Sequence, residues 1–432
     1  MTNQFDINYI DSGNTPHCIL LHKPYPSDID GDLNFNMSNF SFRSGDYDSY
    51  IDDINDESIT LRGFENIDAM SKFVELGIIA DEGYEITIEN LNDTYDGTYI
   101  ISNISYNPIG LDVFEYNLTL KFVRDITIPN YIKGPVHGEG SYCFMNGVIA
   151  TNGKAIFAPY SSPHIGIYDP ITNIYTSGPT HTSHGFFSCI SLINGKVLLI
   201  GSDTNICLYD PITNIFSVGP AHGKGFDAFR TGVQVNSNSV ILIPTKSANI
   251  GEYNPTTNTY SNKVVHGEGT YAFHGGVLLT NGNIIFAPHD SLHIGIYNPT
   301  TNIYTSGPIH GEGSSAFRGC ILTKTGKVIL IPYGSYYIGI YDPVANTYTR
   351  GPSTGVDWYQ SGILLSNGRI ILIPSWSEYI SIYDPCTNAY YRSVEHKEII
   401  GSCEFFDGGI LLNDGRVLFV PYCCLNIGFY SP

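Results

Sequence analysis

Apolar and polar positions repeat along most of this chain with a period in the low forties. A clear copy runs from Gly307 to Thr349, GPIHGEGSSAFRGCILTKTGKVILIPYGSYYIGIYDPVANTYT. Seven copies end in Tyr-Asp/Asn/Ser-Pro, at Tyr168, Tyr209, Tyr253, Tyr297, Tyr341, Tyr383 and Tyr430, with intervals of 41, 44, 44, 44, 42 and 47 residues. Within a copy, two apolar, β-branched runs flank Asn152-Gly153, Asn194-Gly195, Asn281-Gly282, Thr325-Gly326, Asn367-Gly368 or Asp414-Gly415. Such pairs predict hairpins with a type I′ turn, which needs φ > 0 at both central residues. The third copy has Asn236-Ser237-Asn238 there, which predicts a looser turn. A run such as Val328–Ile331 closes on Pro332, a loop leads to Ile338–Tyr341, and Asp342-Pro343 initiates another turn before Thr347–Thr349. The unit is four antiparallel strands, a to d. Repetition of such a unit at this period predicts an all-β, seven-bladed β-propeller.

The ends of the repeat region predict how the ring closes. The last copy stops at Pro432 without a fourth strand, whereas residues 126–135, ITIPNYIKGP, match a fourth strand followed by Gly-Pro. A strand from the start of the repeats thus completes the last blade and leaves no unpaired edge.

The repeat resembles kelch repeats of the galactose-oxidase kind over roughly residues 126–432. Two features depart from that pattern. The Gly-Gly that ends kelch strand b is replaced by Pro159, Pro244, Pro288, Pro332, Pro374 and Pro421, with Gly201 in the second blade. The strand-d Trp is mostly Tyr or Phe, as at Tyr175, Phe216, Tyr304 and Tyr348. The resemblance implies the fold and leaves activity open, because propellers host many functions.

Residues 1–124 read as a separate acidic, β-rich domain, with the propeller at 125–432. Residues 1–125 hold 23 Asp/Glu against 6 Lys/Arg, leaving 18 acidic and 15 basic residues for the rest. Ser58–Arg62, Tyr84–Ile88, Tyr99–Ile104 and Phe114–Phe122 alternate like strands, with a hairpin turn at Asp96-Gly97. Ile67, Met70, Phe73 and Val74 share a face at helical spacing, ended by Gly77. A small sandwich or barrel with one helix is expected. The order of these elements over residues 58–122 resembles β-domains of tailed-phage tail proteins. That resemblance implies a virion protein, other tail proteins as partners, and a homo-oligomer assembled through this domain.

Charge and composition exclude other classes. Acidic charge concentrated in one domain repels nucleic acid, and neither half carries a basic stripe with interleaved aromatics. No apolar run approaches the ~20 residues of a membrane helix, so no membrane insertion is expected. The N-terminus has neither the basic start nor the apolar core of a signal peptide. Nine scattered cysteines without Cys-x-x-Cys spacing fit synthesis in a reducing cytosol, with Cys189, Cys207, Cys320 and Cys403 as small buried hydrophobes.

Candidate chemistry falls on two sets of loops. His-Gly-Glu recurs at His137, His266 and His310, after Gly-Pro at the first and last of these, with His222-Gly-Lys in the third blade. A ring of imidazoles and carboxylates can hold a metal or an anion. Recurrence in most blades instead favours a structural turn, the ring nitrogen satisfying a buried backbone group. No metal and no cofactor are expected. Asp28, Asp30 and Asp32 lack the Gly and Glu placement of a calcium loop. Nucleophile-elbow, zinc-protease and P-loop motifs are absent, so no enzyme is expected. The b-to-c loops vary between blades and share a face with the d-to-a loops. Tyr333, Tyr336, Tyr337, Trp376 and Tyr379 there are candidate ligand-binding residues, suited to stacking on sugars or anchoring a protein. Bracing between neighbouring blades is the alternative use of these rings.

The functional expectation is a non-enzymatic structural protein of a phage tail, made in the host cytoplasm. Its propeller is a binding module displayed for host attachment, through a surface glycan or protein, or for another virion protein. An intracellular, cytoplasmic kelch-like interaction scaffold is the second reading and a carbohydrate-active enzyme the third. The polarity of the closing strand sets the expectation that the N-terminal domain lies away from the variable loops.

Overall fold

The computed structural model describes residues 130–398 and 404–432 in full, and eight backbone strands within residues 4–124. The chain divides into two compact units, Met1–Thr127 and Ile128–Pro432.

In the first unit the strands are β1 (Gln4–Ile10), β2 (Pro16–His22), β3 (Phe42–Ser44), β4 (Tyr47–Asn55), β5 (Ser58–Asn66), β6 (Glu85–Glu89), β7 (Gly97–Pro108) and β8 (Val113–Arg124). They form one antiparallel sheet in the order β2-β1-β6-β7-β8-β5-β4-β3. The helix expected at 67–76 and any sandwich or barrel packing lie outside the described residues.

The second unit is a seven-bladed β-propeller, each blade four antiparallel strands. The innermost strands a are Phe144–Ile149, Phe186–Ser191, Phe229–Asn236, Phe273–Leu278, Phe317–Leu322, Tyr359–Leu364 and Phe406–Leu411. Each lies beside the strand a of the next blade, and the seventh lies beside the first. No helix occurs among the described residues.

Strand b is the most apolar run because both its faces are buried. In the first blade Ala155 and Phe157 pack towards the seventh blade, while Ile156 and Ala158 pack towards the second. Strand alternation thus feeds two inter-blade cores at once. The outermost strand d has an exposed edge, as the exposed Ile174 and Ile215 show. The Tyr that ends each strand c is fully buried, at Tyr168, Tyr209, Tyr253, Tyr297, Tyr341, Tyr383 and Tyr430. In six blades its hydroxyl donates to an Asn five residues on, such as Tyr297 to Asn302 Oδ1 at 3.0 Å. That Asn takes a left-handed conformation, φ 55° at Asn302, which Asn tolerates better than most residues. The preceding Asp or Asn accepts from two backbone N–H groups and fixes the turn, as Asp342 does for Val344 and Ala345.

β9 (Asn130–Val136) closes the ring as strand d of the seventh blade. It pairs with strand c of that blade (Asn426–Ser431), placing Asn130 beside Ser431 and Val136 beside Asn426.

Two turns differ from expectation. The Asn-Gly hairpins are three-residue loops rather than type I′ turns. Gly153 donates to Ala150 O at 2.9 Å and takes φ 79°, while Asn152 keeps a negative φ and its Oδ1 accepts from Lys154 N. This is a type I turn followed by a left-handed Gly. The third-blade turn is tighter than its neighbours: Asn236 pairs directly with Ser239 across Ser237 and Asn238.

Cys143, Cys189, Cys207 and Cys424 are buried free thiols, while Cys403 lies outside the described residues. Cys423 is disulfide-bonded, a departure from the expectation of scattered thiols.

Candidate functional site

The His-Gly-Glu loops are inter-blade staples. His266 is buried; its Nε2 donates to Ser247 O of the preceding blade at 2.9 Å, and its Nδ1 accepts from Glu268 N at 3.1 Å. Both contacts suit the neutral ring protonated on Nε2. His137, His222, His310 and His396 repeat the arrangement on Cys424 O, Asp203 O, Ser291 O and Ser377 O, whereas His181 keeps the Nε2 contact, to Ser162 O, and its Nδ1 has no partner. Burial lowers the pKa of each of these imidazoles, against the pull of the carbonyl bond.

The glutamate reaches forward into its own blade. Glu268 accepts from Ser291, His293, Tyr304 and Ser306, and Glu139 accepts from the equivalent Ser162, His164, Tyr175 and Ser177. Burial raises these carboxyls, but the hydrogen bonds outweigh it and hold both below the usual range. At the last junction Glu398 accepts from Tyr131 at 2.7 Å and pairs with Lys133 at 3.2 Å. In the sixth blade Thr354 Oγ1 donates to Tyr336 O at 3.4 Å, and Asp357 accepts from Tyr390 and Arg392. At the end of strand b in the second blade a Cβ at Gly201 would lie 2.2 Å from Gly185 O, so the Pro of the other blades cannot stand there. Among the described residues no three His, Cys, Asp or Glu side chains converge as metal ligands.

Because each blade repeats the scaffold, positions that do not repeat stand out. One follows the aromatic residue that opens strand a. The aromatic is Phe in six blades and Tyr359 in the sixth; the next residue is Met145, Phe187, Arg230, His274, Arg318, Gln360 or Asp407. No two neighbouring blades share a residue there. An inner cavity of about 200 Å3 in the channel is lined by Arg230, His274, Arg318, Gln360 and Asp407. An outer cavity of about 310 Å3 is lined by Tyr142, Met145, Arg230, Arg318, Trp376, Glu404 and Tyr422. Arg230 and Arg318 belong to both.

Arg318 is held in a network. Its guanidinium lies 3.5 Å over the Tyr333 ring, donates to Gln360 Oε1, and sits 3.7 Å from Glu404 Oε1. Gln360 donates to Glu404 Oε2 at 2.6 Å, and Tyr333 OH donates to Glu404 Oε1 at 3.2 Å. Arg230 packs 4.5 Å over Phe187. Among the described residues no acceptor bonds its guanidinium. His274 and His289 stack with centroids 3.7 Å apart. Burial lowers both, with the two arginines adding to the effect, and takes His289 to about 4. Asp407 is 8 % exposed, and burial pushes its carboxyl up to about 7 against the pull of Arg230 and Arg318. His274 Nδ1, Arg318 Nε and Asp407 Oδ2 are buried without a hydrogen-bond partner.

The aromatic residues expected from the loops separate into two groups. Trp376, 43 % exposed, and Tyr333 stand at the channel mouth. Tyr337 and Tyr379 begin their strands c, further out, and carry Arg350 and Arg392 over their rings at 4.9 and 5.2 Å. Tyr336 is 58 % exposed, its backbone carbonyl accepting from Thr354 N. The strand-a ring escaped sequence reasoning because each blade contributes one residue. Its signal was the non-repeating position directly after a repeated aromatic.

The class these observations define is the seven-bladed β-propeller with a polar channel mouth. Solved structures similar to the chain are propellers of diverse use. A streptogramin B lyase is similar with a TM-score of 0.61 and 13 % identity over 70 % of this chain and 97 % of that one. Virginiamycin B lyase from Staphylococcus aureus with quinupristin gives 0.61 and 11 % over 70 % and 99 %. A chain of the mitotic checkpoint complex gives 0.56 and 10 % over 76 % and 95 %. No protein-family model matches the sequence, and no curated protein matches it either. At these identities the likeness concerns the fold.

Proposed function

We propose that this chain is a non-enzymatic structural protein of a tailed-phage virion. The N-terminal unit assembles with other tail proteins as a homo-oligomer, and the propeller is a displayed module that binds a saccharide of the host surface at its channel mouth. The observation that carries the binding reading is the contrast within the seven repeats. The staples, turns and cores repeat, whereas the ring at Met145, Phe187, Arg230, His274, Arg318, Gln360 and Asp407 does not. A scaffold needs the same solution in every blade; a binding seat needs one asymmetric constellation. Trp376 beside Arg230 and Arg318 supplies a stacking face and charged donors together. The order of elements in residues 58–122 supports the tail assignment, and the polarity of β9 supports display, since the chain joins the ring at the end of β9 away from these loops. The kelch-like repeat belongs to this reading as the source of the scaffold.

One observation favours an enzymatic alternative. Asp407 and His274 line the inner cavity, His289 stacks on His274, and all three have shifted pKa values, as acid–base residues do, and lyases are among the similar propellers. Two experiments separate the readings. Mass spectrometry and antibody labelling of purified parent virions should place the chain in the tail. The purified chain should bind members of an array of defined saccharides and leave them chemically unchanged. Absence from virions refutes the tail assignment; turnover of a bound saccharide establishes the enzyme.

A further inference from the structure

The cavities at the channel mouth are built for more than a neutral sugar. We propose that they take a saccharide bearing a carboxylate, with the carboxylate on Arg230 and the sugar ring against Trp376; this rests on the binding-module reading above. Three observations lead there.

The Arg230 guanidinium sits in both cavities, and no described acceptor bonds it. It packs on the Phe187 face, and burial pulls its pKa down against the pull of Asp407. A half-buried guanidinium without a hydrogen-bonded acceptor, opening into both cavities, is placed to receive an anion. Arg318, by contrast, is spent on Gln360, Glu404 and Tyr333, which fixes its position and leaves Nε free. Planar guanidinium groups match carboxylates with two parallel hydrogen bonds.

The surrounding charges select the form of the anion. Glu404 and Asp407 face the same arginines. A dianionic phosphate would meet two carboxyl groups at close range, whereas a single carboxylate brings one charge to the guanidinium that no described acceptor hydrogen-bonds. The same carboxyl groups, with Gln360, accept from hydroxyl groups, which a sugar carries around its ring.

The outer cavity gives the size and the apolar surface. About 310 Å3 lies at the small end of ligand sites, roughly 300–1,000 Å3, and suits one or two sugar units rather than a folded protein surface. Trp376 is exposed at its rim, with Tyr142 held there in a left-handed conformation, φ 59°. An aromatic face beside a guanidinium is what a sugar acid requires.

The test is calorimetric titration of the full chain with sodium glucuronate, galacturonate and N-acetylneuraminate. Glucose, the methyl ester of glucuronate, N-acetylglutamate and inorganic phosphate serve as comparison probes. At least one sugar acid should bind, and its ester or neutral counterpart should bind at least tenfold more weakly. Arg230→Met removes no hydrogen bond of the fold, so its melting should be unchanged or raised, while affinity for the sugar acid falls at least tenfold. Trp376→Ala should weaken the sugar acids without altering melting. Equal affinity for acid and ester, or full affinity in Arg230→Met, overturns the proposal. Tighter binding of phosphate or of N-acetylglutamate than of every sugar acid also overturns it. Binding of neutral saccharides that depends on Trp376 but not on Arg230 refutes the carboxylate and leaves the binding module standing. No binding by any saccharide refutes both.

Discussion

Substituting Tyr131 tests the closing strand at its most informative point. Tyr131 lies in β9, opposite Tyr430, with its ring 6.2 Å from Phe406 and 6.3 Å from Phe419. Its hydroxyl donates to Glu398 Oε1 at 2.7 Å. Removing a buried aromatic side chain costs about 3–5 kcal/mol. Tyr131 is only partly buried, so Tyr131→Ala should cost about 3 kcal/mol, near the lower end of that range. Tyr131→Phe removes the hydroxyl alone and leaves Glu398 with Lys133, which predicts about 1.5 kcal/mol, the low end for a bond to a charged group. Deleting residues 126–135 breaks the ladder from Asn130 to Lys133 as well. Ladder bonds at about 1 kcal/mol each bring the loss to roughly 6 kcal/mol, comparable to the whole stability of many domains. Urea unfolding followed by tyrosine and tryptophan fluorescence, with sedimentation of the native state, reads all three variants. The order should be deletion, then Ala, then Phe, and the deletion should associate through the bare edge of the last blade. A deletion variant with the oligomeric state of the wild type and an unchanged midpoint refutes the closure.

The remaining predictions concern the staples and the channel. His266→Ala should cost about 2–3 kcal/mol, because Ser247 O and Glu268 N lose their partner in a buried setting. Metal analysis before and after that substitution should be identical; stoichiometric metal lost with His266 would make the loop a ligand site. The stapling imidazoles have folded pKa values below the usual 6.5, so the unfolded chain binds more protons and their contribution is lost as pH falls below about 6.5. Substituting His266 should therefore flatten part of the fall in melting temperature on the acid side; an unchanged profile refutes the neutral staple. Asp407 has the opposite sign. Its folded value near 7 exceeds the usual 3.8, so its stabilisation is present below 3.8 and lost as pH rises through 7. Three pH units amount to at most about 4 kcal/mol. Asp407→Asn should gain on the wild type in melting temperature between pH 4 and 7, and a flat difference contradicts the buried carboxyl.

Much of this architecture was legible because the scaffold repeats. The six Tyr-Asp/Asn-Pro turns, the apolar strand b and the orphan fourth strand at 126–135 each announced themselves several times over or by a gap in a series. The hairpin turns were misread at one level. Asn152-Gly153 marks the turn, but the strands pair Ala150 with Lys154, so a third residue enters the loop and only Gly153 needs a positive φ. The candidate aromatics were legible as loop residues, yet a loop of five leaves at two heights. Tyr333 and Trp376 precede the turn and stay by the channel, while Tyr337 and Tyr379 have already entered strand c. The charged ring was invisible to motif reasoning. Arg230, Arg318 and Asp407 are separated by whole blades, and only closure of the ring brings them together.

The most direct test of the account is binding of the full chain to an array of defined saccharides, run beside Arg230→Met and Trp376→Ala. The account predicts discrete hits among carboxylate-bearing saccharides that both substitutions abolish, with melting unchanged. A blank array, or hits that survive both substitutions, would contradict the channel mouth as the binding seat.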